Sequence, residues 1–187
     1  MAHYHFGVLG PPLVQVVPDI IETVEGRNIT VICNVTADPK PERIIWKKSN
    51  GILSSATTIV SEGNLTILNV TKQDNGSYVC TATNPWGTKS SLVHLLVYSA
   101  LKFVIKPPCN VTVMAYEAVI LRCSALSELK PTILWMYDGT FSLPSGAAVD
   151  SLSALIILSA NMSHSGTYTC NATDAFSSIQ TSVTLHV

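Results

Sequence analysis

The 187-residue sequence is short of charge. Charged residues make up 12% of it, about half the usual share, and eleven basic against twelve acidic residues leave a net charge of −1. No basic stripe exists for a nucleic-acid backbone or an anionic membrane surface, so neither is expected as a partner. Runs of eighteen or more apolar residues are also missing, so no segment reads as a membrane-spanning helix and membrane attachment would need segments outside this chain. The first residues, Met1 to Phe6, lack the basic and apolar regions of a secretory leader, and the chain reads as a piece of a larger protein. No Gly-rich loop joins a strand to a helix, and no cysteine pair has zinc-ligand spacing. His3 and His5 lie in a tail without further ligands beside them, and His94 and His186 fall at outward strand positions. No enzyme activity, metal or cofactor is expected. A 3.6-residue period is absent as well. Apolar residues recur at every second position in short runs bounded by Gly, Pro, Asn and Asp, which argues an all-β chain. At 47% hydrophobic, a chain of this length can build two cores.

What is present is a repeat. Asp74-Asn75-Gly76-Ser77-Tyr78-Val79-Cys80 is a tight turn feeding an alternating strand that ends in cysteine. It returns as His164-Ser165-Gly166-Thr167-Tyr168-Thr169-Cys170. Upstream of each copy stand a cysteine (Cys33, Cys123) and a tryptophan (Trp46, Trp135). Cys, Trp and Tyr-x-Cys in this order, twice, resemble the immunoglobulin superfamily. The resemblance implies two tandem β-sandwiches, with each Trp packed on an inter-sheet disulfide, Cys33–Cys80 and Cys123–Cys170. Each pair is separated by 47 residues, and closing such a loop stabilises a domain by about 4 kcal/mol in the chain-entropy model. It also implies that Tyr78 and Tyr168 bond back to the backbone at a strand corner. Cys80-Thr81-Ala82-Thr83-Asn84-Pro85-Trp86-Gly87 is similar to the I-set branch pattern Cys-x-Ala-x-Asn-x-x-Gly. Cys170 to Ser177 is a weaker copy, with Asp174 for Asn and Ser177 for Gly, and His164 replaces the corner Asp, read as a structural substitution.

The expected organisation is a tail over residues 1–10, a first domain over 11–98 and a second over 99–187. Strands are predicted at 13–17 (A), 29–34 (B), 44–48 (C), 65–70 (E), 78–83 (F) and 89–97 (G). In the second domain they fall at 101–106, 119–123, 133–137, 155–157, 168–173 and 181–187 in the same order. Each strand A is interrupted by proline, at Pro18 and at Pro107-Pro108. Segments 52–64 and 140–154 leave little room for the extra strands of a variable domain. No Gly/Ser-rich linker separates Val97 from Leu101, so a semi-rigid tandem is expected.

Eight of the ten asparagines sit in Asn-x-Ser/Thr: Asn28, Asn34, Asn64, Asn69, Asn75, Asn110, Asn161 and Asn171. That density, with disulfide-type cysteines, points to a glycoprotein of the secretory pathway, at the cell surface or outside it. Cys109 is left over: a free thiol hidden in strand A, a bridge to another domain or chain, or an artefact of the gene model. Lys40, Arg43, Lys47 and Lys48 put four of eleven basic residues into nine positions. They read as a solvated edge or as a site for a glycosaminoglycan or an acidic partner. With Trp46, Cys80, Leu95 and Val97 pointing inward, Ile45, Val79, Leu92, His94 and Leu96 point outward from strands C, F and G. That face carries no sequon asparagine in the first domain, whereas Asn171 stands on the matching face of the second. The loop 38–43 and Trp86 are expected at one end of the first sandwich. The resemblance implies a recognition module of a cell-adhesion molecule or receptor ectodomain; the parity and the sequon pattern make that apolar face the expected surface for a protein partner, a second copy included. A receptor tyrosine kinase ectodomain and a muscle-type scaffold such as titin are the alternatives.

Overall fold

The computed structural model describes residues 9–54 and 57–187, so His3 and His5 lie outside it. The chain divides between Tyr98 and Ser99 into two units. The first is built from β1 (Leu13–Val17), β2 (Ile20–Val24), β3 (Ile29–Thr36), β4 (Arg43–Lys48), β5 (Thr58–Ser61), β6 (Asn64–Ile67), β7 (Gly76–Asn84) and β8 (Gly87–Tyr98). One sheet has the order β1-β3-β6-β5 and the other β2-β8-β7-β4. The second unit holds β9 (Lys102–Ile105), β10 (Asn110–Thr112), β11 (Val119–Leu121), β12 (Ser124–Leu126), β13 (Thr132–Tyr137), β14 (Ala147–Val149), β15 (Leu155–Ile157), β16 (Gly166–Thr173) and β17 (Ser178–His186). Its sheets are β10-β17-β16-β13, and an opposing layer in two pieces, β11-β15-β14 and β12-β9.

Proline explains how each chain start is shared between two sheets. Pro18 has no N–H to offer the ladder, so β1 ends at Val17 after pairing with β3. The chain resumes as β2 on the other sheet, parallel to β8, with Ile20 opposite His94 and Glu22 opposite Leu96. Pro107-Pro108 does the same between β9 and β10, which runs parallel to β17. The sequence reading stopped at these prolines and missed both second halves. Within 52–64 and 140–154 the structure adds one short strand each, β5 and β14. Neither is the additional pair of a variable domain.

Period-two alternation builds both cores. In the first unit Val31, Cys33, Trp46, Leu65, Ile67, Tyr78, Val93 and Leu95 are buried around the Cys33–Cys80 bond. In the second, Leu121, Trp135, Leu155, Ile157, Tyr168 and Leu185 close around Cys123–Cys170. A buried indole N–H needs an acceptor. Trp46 Nε1 donates to the Gly63 carbonyl at 2.7 Å, and Trp135 Nε1 to the Ser153 carbonyl at 2.9 Å. Both acceptors sit in turns with left-handed φ, +83° at Gly63 and 65° at Ser153.

The corner before each β7 or β16 is held twice. Tyr78 donates its hydroxyl to the Asp74 carbonyl at 2.7 Å, and Tyr168 to the His164 carbonyl at 2.9 Å. The Asp74 carboxylate accepts the Thr71 N–H at 2.8 Å. His164 replaces that carboxylate with its ring. Nδ1 accepts the Asn161 N–H at 3.0 Å, and Nε2 lies 2.9 Å from the Ser145 carbonyl. Those two partners require the proton on Nε2. The imidazole is buried and adds a tie to Ser145, so the replacement of Asp is a working substitute.

Burial, followed by the Asp74 charge, pushes the Tyr78 hydroxyl up from 10.0 to about 12. Burial, then the neighbouring Tyr137 and Asp138, raises Tyr168 as well. An unfolded tyrosine loses its proton near pH 10 while folded Tyr78 keeps it, so this stabilisation is complete below pH 10 and is lost as the pH climbs through about 12. Denaturant titrations from pH 9 to 12 should show stability of the first unit falling across that window. Tyr78→Phe should remove Tyr78's part of the fall at a neutral-pH cost of about 1–2 kcal/mol. A variant with an unchanged alkaline slope would contradict the corner assignment.

Candidate binding surface

Strands β4, β7 and β8 correspond to C, F and G, and the alternation places their residues as the parity argument requires. Val93, Leu95 and Val97 are buried; Leu92, His94 and Leu96 are exposed; Ile45 and Val79 are half-buried. The last two are shielded because register gives each a neighbour on its flanks. Val79 stands between Lys47 and Leu92, and Ile45 beside Thr81. The structure adds Ile20 and Glu22 to this face through β2, next to His94 and Leu96. Ile20 is 52% exposed, Leu92 41% and Leu96 42%. The signal for Ile20 was present in Ile20-Ile21-Glu22-Thr23-Val24, a β-rich run, but pairing in parallel with the last strand is non-local and was not read.

The face has a gradient along β8. One half is apolar, with Ile20, Val79, Leu92 and Leu96 around His94, whose Nδ1 is 2.8 Å from the Ser77 hydroxyl. Toward the hairpin it becomes hydroxylic: Thr81 pairs with Ser90 and Thr83 with Thr88, each at 2.9 Å. Cross-strand hydroxyl pairs of this kind present a polar, self-satisfied surface. Arg43 and Lys47 occupy outward positions on β4 along one edge, and Lys40 is exposed in the preceding loop. Lys48 has the opposite parity. Its Nζ donates to the Gln73 carbonyl at 2.6 Å and lies 5.5 Å from the Tyr78 ring centre. The four basic residues therefore do not form one cluster.

Buried Asn84 organises the end that carries Trp86. Its Nδ2 donates to the Gly10 carbonyl at 2.8 Å and the Pro39 carbonyl at 3.1 Å, and its Oδ1 accepts the Trp86 N–H at 2.9 Å. One amide thus ties the β7–β8 hairpin to the loop 38–43 and holds Trp86 in place with its side chain 55% exposed.

Of the sequon asparagines in the first unit, Asn34 lies exposed on β3 and Asn64 starts β6, both on the opposite sheet. Asn28 and Asn69 are adjacent: Asn28 Oδ1 accepts the Asn69 N–H at 2.8 Å. Asn75 differs. Its Oδ1 accepts the Val97 N–H at 2.5 Å and its Nδ2 points at the Val97 carbonyl at 3.4 Å, so both amide atoms brace β8. In the second unit Asn110 begins β10, Asn161 caps the turn before β16 with its Oδ1 on the Ser163 N–H, and Asn171 accepts the Ser178 hydroxyl at 2.8 Å. Cys109 is exposed and outside the strands, which corrects the reading of a thiol hidden in strand A. Among the described residues no group of three His, Cys, Asp or Glu could hold a metal ion, and no helix is long and apolar enough to cross a membrane.

The family model for the immunoglobulin domain matches residues 11–84 and 103–174. Contactin-4 of Homo sapiens is 34% identical over 159 residues, which is 78% of this chain and 15% of that protein. The solved I-band fragment I67–I69 of titin superposes on 96% of this chain and 66% of its own, with a TM-score of 0.68 and 27% identity. The N-terminal eight Ig domains of Down Syndrome Cell Adhesion Molecule cover 96% of this chain over 28% of theirs, with a TM-score of 0.80 at 23% identity, a likeness of fold. Two matched segments, two disulfides and two Trp-centred sandwiches place this chain in the immunoglobulin domain family.

Proposed function

We propose that the chain is a non-enzymatic recognition module of the extracellular space, part of a cell-adhesion molecule or receptor ectodomain. It binds a protein partner, a second copy included, through the outward face of β2-β8-β7-β4 in the first unit. The observation that carries this reading is the exposed cluster Ile20, Leu92 and Leu96 on a sheet without a sequon asparagine in its strands. An exposed apolar patch on a soluble domain marks a surface that meets something. Trp86 extends this face at the hairpin end as an aromatic anchor of the type enriched at binding hot spots. A receptor tyrosine kinase ectodomain would use the same face, with its membrane span and kinase outside this chain. The similarity to the titin fragment supports the muscle-scaffold alternative equally well on fold. Eight sequons favour the extracellular reading, because such acceptors serve only in the secretory pathway. A glycosaminoglycan site is the weaker reading, because Lys48 is turned away from Arg43 and Lys47.

Secreted from animal cells, the chain should lose apparent mass on treatment with peptide-N-glycosidase. Site mapping should find Asn75 unoccupied, since a glycan there would displace its contacts with Val97. Loss of no mass at all would return the scaffold reading to the front. Leu92→Asp with Leu96→Asp should abolish bead clustering and cell-surface binding of the chain while leaving its thermal unfolding within a few degrees of the parent. Both positions are exposed, where substitutions change stability by about 0.5 kcal/mol or less. A double variant that associates as well as the parent would refute the face assignment.

A further inference from the structure

The two units place their sequons on opposite sheets. In the first, Asn34 and Asn64 stand on β1-β3-β6-β5. In the second, Asn110 and Asn171 belong to β10-β17-β16-β13 and Asn161 to a turn, so the layer of β9, β11, β12, β14 and β15 has none. That layer is apolar on its outside, with Ile105 and Ile120 exposed and Ile156 half-buried.

It is also broken where its counterpart is whole. In the first unit β3 runs without interruption and pairs with both β1 and β6. In the second the equivalent strand parts into β11 and β12 at Arg122-Cys123, and the register with β9 shifts between Ser124 and Ala125. A β-bulge of this kind bends a strand and unpairs a residue. The break opens a cleft of about 230 Å³ walled by Ile105, Ile120, Leu152 and Ile156, with Arg122 and Asp150 also lining it. Asp150 Oδ1 is engaged by the N–H groups of Leu152 and Ala154, each at 2.8 Å. Arg122 is exposed and makes no hydrogen bond or ion pair with any described residue. Asp150 is the one acidic group of the lining and is already held by those two backbone N–H groups, whereas the Arg122 guanidinium beside the aliphatic wall is open to a guest; the pair suits an aliphatic side chain next to a carboxylate, which the guanidinium fork holds in a bidentate pair.

We infer that this cleft docks an acidic, aliphatic segment of a partner protein, its aliphatic side chain against Ile120 and Ile156 and its carboxylate on Arg122. The inference is independent of the first unit's face, and its test reads only second-unit residues. The ¹⁵N-labelled chain is titrated with a hexapeptide carrying Leu-Glu at its centre and with its Leu-Gln counterpart. Saturable shifts should appear at Ile120, Arg122 and Ile156 with the Leu-Glu peptide, and the Leu-Gln peptide should bind about ten-fold more weakly, the scale of one charged hydrogen-bonded pair. Arg122→Gln should bring the two peptides to equal affinity with the spectrum otherwise unchanged. Equal binding of both peptides to the parent, shifts confined to other residues, or no saturable shift would overturn the proposal. So would cleft resonances that move with protein concentration alone, which would assign the cleft to a second copy.

Discussion

A sulfur–sulfur bond and an indole ring anchor the facing of the central strands in each unit, and pairing carries it to their neighbours. Cys33 and Cys80 join the two sheets of the first unit, and Trp46 fills the space beside the bond. Once these three side chains point inward, the two-residue period leaves no freedom to their neighbours. Tyr78 and Ala82 are inward and Val79 and Thr81 outward; Leu95 and Val97 are inward and Leu96 outward. The indole is fixed further by its bond to Gly63. The surface this protein presents is therefore a consequence of how its core is cross-linked. A slip of one residue in β8 would bury Leu92, His94 and Leu96 and expose Val93, Leu95 and Val97.

Proline supplies the second constraint. A sheet that ended at β8 would leave a long open edge of unpaired backbone groups, a template for uncontrolled pairing. Pro18 ends β1 and hands the chain across so that β2 covers that edge. The same event enlarges the outward face, since Ile20 and Glu22 join the row of His94 and Leu96. In the second unit β10 closes the edge of β17 in the same way. There, however, the layer that holds β9, before the proline switch, is split, and the outward rows on β16 and β17 are polar: Thr169 pairs with Ser182 at 2.8 Å and Asn171 with Ser178 at 2.8 Å.

Much of this was legible in the sequence, for physical reasons that can be named. The Cys, Trp and Tyr positions are local signatures, and strand parity propagates from them without further information. That was enough to place Ile45, Val79, Leu92, His94 and Leu96 on one face. What was not legible depends on pairing between distant segments. The partnership of β2 with β8 joins residues more than seventy positions apart, and no pattern within Ile20 to Val24 announces it. The short strands β5 and β14 were missed because their identity comes from the ladders with β6 and β15. Nor does the residue string show that Asn75 braces Val97 or that Lys48 turns to Gln73. The amide and the ammonium read as a sequon and as part of a charge cluster until their partners are in view. His164 teaches the same lesson: its role rests on the backbone N–H of Asn161 and the carbonyl of Ser145, both invisible to a comparison of side-chain types.

The central claim is that the β2-β8-β7-β4 face of the first unit is the one that meets a partner. A bulky sugar placed on that face tests it most directly, because a glycan blocks contact without disturbing the core. Leu92→Asn with His94→Thr introduces a sequon on β8, and Leu13→Asn with Gln15→Thr introduces one on the exposed side of β1 as the control. Bead clustering and cell-surface binding of the two glycosylated variants are then compared with the parent. The account predicts that the β8 glycan abolishes association and the β1 glycan leaves it intact. Undiminished association with the β8 glycan in place would contradict it.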